Sequence, residues 1–340
     1  MRCVLGEEYR SWLLALLLSL LFVLVSPGLA YSQADGRMHQ YMFNQLDFNP
    51  AYAGSQGLLN VYAMGRQQWV GFGPGAPQTV FFSFDMPFRY RQLSQMTPGK
   101  KMQYSHGLGL HFVRDAYGFA VVTGLELSYG ARFHLRGLGS LSLGLGIRGL
   151  NDKFDAQWRA VDNAENDTAI PLPKGSSIAI DLSFGLYFNT RDMYFGLSGQ
   201  NLLGSDLRDK LSGAMRTHGR MGYSRQYYAV AGYDLALNNR WHLAPSVLLR
   251  SDLVQYLLGM SLRAEYNNLF WFGVSYHVLE SVGGLVGINL FNGLRIGYCY
   301  DYPTTAIRHF TSGSHEVVLG YSFGLERERL PQQYKSIRFL

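Results

Sequence analysis

Apolar positions alternate with small or polar ones along most of the chain. Between 177 and 188, Ile178, Ile180, Leu182, Phe184, Leu186 and Phe188 share one parity, and Ala179, Asp181, Ser183, Gly185 and Tyr187 share the other. Successive side chains on a strand point to opposite faces, so this stretch predicts a strand with one wholly apolar face. The pattern recurs where Leu141, Leu143, Leu145 and Ile147 oppose Ser142, Gly144, Gly146 and Arg148, and where Leu125, Leu127, Tyr129 and Phe133 oppose Gly124, Glu126, Ser128 and Arg132. It returns with Leu258, Met260 and Leu262 against Gly259, Ser261, Arg263 and Glu265, then with Ile296, Tyr298 and Tyr300 against Arg295, Gly297 and Cys299, and last with Val317, Leu319 and Tyr321 against Glu316, Val318 and Gly320. A soluble sandwich also alternates, so the second face decides between the two. Glycine, serine and isolated charges on strand after strand suit a hydrated interior, where bulk would block a bore. Aromatic residues near strand ends, such as Trp241, Tyr256, Tyr266, Tyr276 and Tyr300, match interfacial girdles. The expected fold is all-β: a transmembrane antiparallel up-and-down β-barrel of about fourteen strands, with an N-terminal non-strand segment.

The strands are expected to begin near 58, 78, 106, 119, 139, 176, 191, 225, 240, 254, 269, 282, 293 and 314. Connections sort by parity. Short turns fall near Arg136-Gly137, Thr190-Arg191, Asn238-Asn239, Asn267-Asn268 and Phe291-Asn292, while long loops near 68–77, 152–175, 203–224 and 302–313 fall at the opposite end. Short periplasmic turns and longer external loops produce this asymmetry. The long basic link at 88–105, with Arg89, Arg91, Lys100 and Lys101, is the exception, and the strand count is most exposed there.

The two ends read differently from the barrel. Arg2 and Arg10, an apolar run over 12–25 and small residues up to Ala30 describe a cleavable signal peptide, residues 1–30, too short for a spanning helix. Residues 31–57 form an N-terminal periplasmic or lumen-packing segment, 58–324 the outer-membrane barrel and 325–340 a polar periplasmic tail. The expected location is the outer membrane of a Gram-negative cell. Charged residues make up 16% of the chain against about 25% in soluble proteins, while Tyr (23), Phe (21) and Gly (39) are abundant. The formal charge of +6 is spread out and not gathered into a stripe, so no nucleic-acid partner is expected. Only Cys299 survives processing, which excludes a disulfide within one mature chain.

Candidate chemistry is sparse. Ser246 with His242, and Ser275 with His277, share parities, but neither pair shows a third group to orient the base. The acidic run 162–167 lacks the glycine and terminal glutamate of a helix-loop-helix calcium site and reads as a solvated loop. The histidines are scattered, and Gly107-Leu108-Gly109 and Gly144-Leu145-Gly146 are strand glycines with no helix behind them. No catalytic residue, cofactor or metal is expected, and the chain is not read as an enzyme.

Residues 38–54 are rich in aromatic and Asn residues and do not alternate. Exposed Tyr and Phe in such number favour packing against the barrel mouth or lumen, with an ordinary lead-in to the first strand as the alternative. Here the chain resembles the PorP/SprF family of Bacteroidota outer-membrane proteins of type IX secretion and gliding. The resemblance rests on Gln40-Tyr41-Met42-Phe43-Asn44 and Asn49-Pro50-Ala51-Tyr52-Ala53-Gly54, then on Arg66-Gln67-Gln68-Trp69 and Gly75-Ala76-Pro77-Gln78-Thr79. Gly185-Leu186-Tyr187, Tyr194-Phe195-Gly196-Leu197-Ser198 and Ser314-His315-Glu316-Val317 continue it. It marks Tyr41, Phe43, Asn44, Asn49, Pro50 and Tyr52 as a candidate partner or plug motif and Arg66, Trp69 and Pro77 as a loop motif. The lumen-facing charges are Glu126, Arg132, Arg148, Asp181, Arg263, Glu265, Arg295 and Glu316. What the resemblance implies is an adaptor or anchor barrel in the outer-membrane lipids, joined to periplasmic secretion-ring proteins, a peptidoglycan-associated lipoprotein or a secreted adhesin. Gln45, Asp47 and the polar tail depart from the pattern expected of the family. A passive or selective channel is the competing reading, because charges of both signs share the lumen parity.

Overall fold

A computed structural model describes residues 38–88, 103–135, 138–155, 174–203, 224–290 and 293–323. The expected signal peptide, the polar tail, the acidic run 162–167 and nearly all of the 88–105 link lie outside the described residues. Fourteen strands form one antiparallel sheet: β1 (Leu59–Gln67), β2 (Gln78–Phe88), β3 (Gln103–Tyr117), β4 (Ala120–Leu135), β5 (Gly139–Asp155), β6 (Lys174–Asn189) and β7 (Met193–Gln200). They continue as β8 (Gln226–Tyr233, resumed over Leu235–Ala236), β9 (Trp241–Ser251), β10 (Tyr256–Tyr266), β11 (Phe270–His277), β12 (Ser281–Asn289), β13 (Leu294–Pro303) and β14 (Ser314–Phe323). Each strand pairs with its sequence neighbour, and β14 returns to β1 from Leu59↔Phe323 to Gln67↔His315, so the sheet closes on itself. Closure removes the free edges that lipid would not tolerate.

The all-β barrel expected from alternation is therefore what the chain forms. β2 pairs directly with β3, from Gln78↔Ala116 to Phe88↔His106, so the strand count holds across the 88–105 link. One detail was not anticipated: β8 breaks at Asp234, and its last two residues pair separately with Leu243 and His242 of β9.

Burial is inside out. Leu127, Leu145, Ile147 and Ile178 are 60–65% exposed, while Glu126, Asp181 and Glu316 are at most 1% exposed. A soluble protein buries the first set and solvates the second, so an apolar solvent around the wall is the physical cause of this distribution. Among the described residues no helix is long and apolar enough to cross a membrane. Strand lengths are uneven: β5 has 17 residues and β7 and β11 have 8 each. The tight links after β4, β6, β8, β10 and β12 share one end of the barrel with the long β2–β3 link, termed the turn end, and the long links after β1, β5, β7 and β13 lie at the other, the loop end.

Candidate functional site

The interior holds the protein's own N-terminal residues. Three short 3-10 turns, Tyr41–Phe43, Gln45–Asp47 and Pro50–Tyr52, fold the segment inside the ring. Met38 to Ala53 are buried apart from Met42 and Asp47, and His39, Gln40 and Ala51 are fully inaccessible. A 3-10 turn satisfies backbone groups within three residues, which lets a non-strand peptide sit away from water.

At its start, the segment meets the seam between β1 and β14. The Glu316 carboxylate accepts the backbone N–H of His39 (3.0 Å) and of Gln40 (3.3 Å) and the Arg66 guanidinium (2.6 Å). Arg66 also reaches Asp301 at 2.8 Å, and His39 Nε2 lies 2.9 Å from Asp301 Oδ1 and 3.0 Å from Ser281 Oγ. Behind it, the His39 ring stacks on His277 with centroids 3.9 Å apart. Arg66, expected in a loop motif with Trp69 and Pro77, is instead a strand residue aimed into the lumen. The apolar run that precedes it sets its parity, and Glu316 is its register partner on β14. Trp69 takes a positive φ (+53°) and donates its N–H to Ser314 Oγ, and Pro77 O accepts from Gln68 N at 2.9 Å.

The middle of the segment is aromatic. The Tyr41 hydroxyl pairs with Ser246 Oγ at 3.0 Å. Burial pushes the Tyr41 and Tyr52 hydroxyls above their ordinary range, so both remain protonated. Phe43 lies between the guanidiniums of Arg295 (4.8 Å) and Arg263 (5.1 Å), with Trp271 at 5.0 Å. Cations attracted to a ring face hold it without needing a polar group on it. Arg295 is fixed in turn by Asn289 (2.8 Å), and Asn289 by Glu265 (3.1 Å).

The last part lies against β2 to β7. Asn49 Nδ2 donates to Leu186 O (3.0 Å), Asn49 Oδ1 caps Ala51 N (3.0 Å), and Gly54 N donates to Asp85 Oδ2 (3.0 Å). Pro50 takes the first position of the third turn, where no N–H is required. Tyr52 sets its edge on Tyr187. Glu126 accepts from Arg148 (2.7 Å) and Ser183 (2.7 Å), and Arg148 reaches Asp47 O (3.2 Å). Arg132 donates to Ser142 (3.3 Å), and Asp181 accepts from Leu182 N (2.8 Å) and Leu203 N (3.1 Å). Of the charges expected in the lumen, Glu126, Asp181 and Glu316 are at most 1% exposed, and Arg148, Arg263, Arg295 and Glu316 contact the segment.

The small interior residues do not hold a water-filled bore open at the level of the segment, as the sequence pattern suggested, because several of them lie directly under its backbone. Sequence reasoning missed His39, Asp85, Asp301 and Trp271. The interior parity of Asp301 was available, but its partner required the β1–β14 register.

Toward the loop end, a partly open cavity of about 140 Å³ is lined by Met38, Tyr41 and Phe48 of the segment and by Leu150, Arg250 and Leu257 of the wall. Of the candidate catalytic pairs, Ser246 goes to Tyr41 and His242 to Asp234 at 3.1 Å, while the His277 ring of the second pair stacks on His39. Cys299 is a buried free thiol in the wall.

An antiparallel barrel of fourteen strands, greasy outside and charged inside, is an outer-membrane β-barrel of the Gram-negative type. The chain belongs to the PorP/SprF family of type IX secretion system membrane proteins, whose family model matches residues 30–321. The family resemblance read from the sequence is therefore correct, and the molecule is a type IX secretion outer-membrane barrel. Comparison with curated proteins gave no match. Among solved structures, the chain is similar to the toluene transporter TbuX of Ralstonia pickettii (12% identity, 84% of this chain and 93% of that one, TM-score 0.45). It is also similar to a Pseudomonas aeruginosa FadL homologue (10%, 79% and 89%, TM-score 0.43) and to the translocator domain of the autotransporter NalP from Neisseria meningitidis (11%, 78% and 86%, TM-score 0.40).

Proposed function

We propose that this barrel works as an adaptor or anchor of the type IX apparatus, holding secretion partners or a surface adhesin at the outer membrane by protein contact. The observation that supports it is the occupied interior: a bore filled by fully inaccessible residues such as His39, Gln40 and Ala51 is a poor conduit. On this reading the signal peptide is removed after Ala30 and the turn end faces the periplasm, where ring proteins or a peptidoglycan-associated lipoprotein are met. The loop end then faces the exported adhesin. Deletion of the gene abolishes surface display of type IX cargo and leaves small-solute uptake intact. Normal display in the deletion strain would end the proposal.

A channel is the second reading, supported by the open cavity at the loop end and by charges of both signs on the wall. Purified protein in a planar bilayer separates the two. A steady open conductance favours the channel, and silence favours the adaptor.

A further inference from the structure

The stretch from Asn49 to Gly54 is seated as a bound peptide is seated. Five glycines on four neighbouring and one adjoining strand face it: Gly107 on β3, Gly130 on β4, Gly144 on β5, Gly185 on β6 and Gly196 on β7. A Cβ at Gly107 would fall on the Ala53 carbonyl, one at Gly144 on Ala51 N and the Pro50 carbonyl carbon, and one at Gly185 on Asn49 Oδ1. None of the five has a positive φ, so the backbone of the strands does not call for glycine at any of them. What removes the side chains is the peptide itself, in the manner of glycines that mark the close approach of another backbone.

The wall also reads the peptide's chemistry. Asn49 Nδ2 donates to Leu186 O at 3.0 Å and lies 3.5 Å from Leu197 O, so one carboxamide spans two strands. Ser198 Oγ donates to Phe48 O, and Asp85 accepts from Gly54 N. Gly54 itself has φ +65°, and a Cβ there would fall within 2.9 Å of the Gly107, Met86 and Pro87 backbones. Asn in the first place and Gly in the sixth are thus the two positions this wall fits most closely. The earlier part of the segment is matched less closely: both amide atoms of Gln40 and the Trp271 indole nitrogen are buried without partners.

We propose that the inner face of β3 to β7 is a peptide-binding groove whose ligand is Asn49-Pro50-Ala51-Tyr52-Ala53-Gly54, held by its fit to the wall and not by its covalent link to β1. The plug is then a tethered peptide that a free peptide of the same sequence can replace. This inference stands on the lumen geometry and is independent of the secretion reading.

The link to β1 permits a direct test. Gln56 and Gly57 are exposed, and nothing lies within 4 Å of where a Gly57 Cβ would stand, so a site-specific protease sequence inserted between them gives up one turn hydrogen bond, Gly57 N to Gly54 O at 3.3 Å, and keeps residues 49–56 continuous. The full chain is folded in detergent, cut there and passed through gel filtration, with the heat-dependent gel shift confirming that the barrel is intact. The cut segment is expected to remain with the barrel and to be chased by excess synthetic peptide of residues 38–55. Peptides carrying Asn49→Ala or Gly54→Ala chase it at least about ten-fold less well, the loss expected for a buried hydrogen-bonding group or a strained backbone. All the recognition changes sit in the peptide, so no failure of a barrel variant to fold can blur the outcome. A segment that elutes alone after cleavage overturns the proposal. So does one chased equally by a scrambled peptide, or one that no peptide displaces.

Discussion

Replacing Glu316 by Gln removes the charge at the point where the N-terminal segment, β1 and β14 meet. The carboxylate is fully buried and accepts from Arg66, His39 N and Gln40 N. Loss of one partner from a buried ion pair costs about 3–5 kcal/mol, because the other charge is left unpaired in a medium that solvates it poorly. Arg66 keeps Asp301 at 2.8 Å on its other arm, which places the expected cost near 3 kcal/mol. The double replacement Arg66→Met with Glu316→Met does not rescue the protein, because removing Arg66 takes the guanidinium away from the buried Asp301 carboxylate. The His39 and Gln40 amides also still lose their acceptor, at about 1–3 kcal/mol for each buried unsatisfied group. The assay is reversible denaturant unfolding of the barrel in lipid vesicles, read by tryptophan fluorescence. Glu316→Gln unfolding within about 0.5 kcal/mol of the parent, the scatter of ordinary surface changes, would refute the reasoning.

Other substitutions probe separate parts of the structure. Gly144→Val drives side-chain atoms into the Ala51 backbone, so about 1–3 kcal/mol of stability is lost and single-channel recordings show openings absent from the parent. Phe43→Ala empties the site between Arg263 and Arg295 and brings two guanidiniums together, costing about 3–5 kcal/mol in the same unfolding assay. Leu145→Arg, on the exposed outer face, costs about 2–4 kcal/mol in vesicles if that face meets the hydrocarbon, and a neutral result would remove the lipid from the argument. Cys299 is inaccessible, so a maleimide modifies it only after heating collapses the folded gel band.

Strand positions were legible in the sequence because period-two alternation is local. Each observed start lies within three residues of the expected one, and even the 88–105 link did not disturb the count. Inward orientation of Glu126, Asp181 and Glu316 was legible for the same reason. Their partners were not, since pairing Arg66 with Glu316 requires knowing that the ring closes between the first and last strands, 250 residues apart. The loop assignment of Arg66 failed because its neighbours Gln67 and Gln68 blur the end of the apolar alternation, while the backbone ladder runs on to Gln67. The strand glycines were visible as a repeated parity, but two causes predict the same pattern, an open bore and a close backbone. Only the path of residues 49–54 separates them.

The unequal strands make the wall lopsided. At about 3.3 Å per residue and a tilt near 40°, the 17 residues of β5 climb about 43 Å and the 8 of β7 about 20 Å, against an apolar belt of about 25 Å. Along the taller arc the outward residues turn polar above the belt, as Asn151 and Lys153 do on β5 and Arg114 on β3. Along the shorter arc the lipid must pucker inward to meet the protein, at a fraction of a kcal/mol for each ångström of mismatch. Among the described residues the ring therefore rises steeply along one flank and stays low along the other, and the membrane is thinnest beside the low flank.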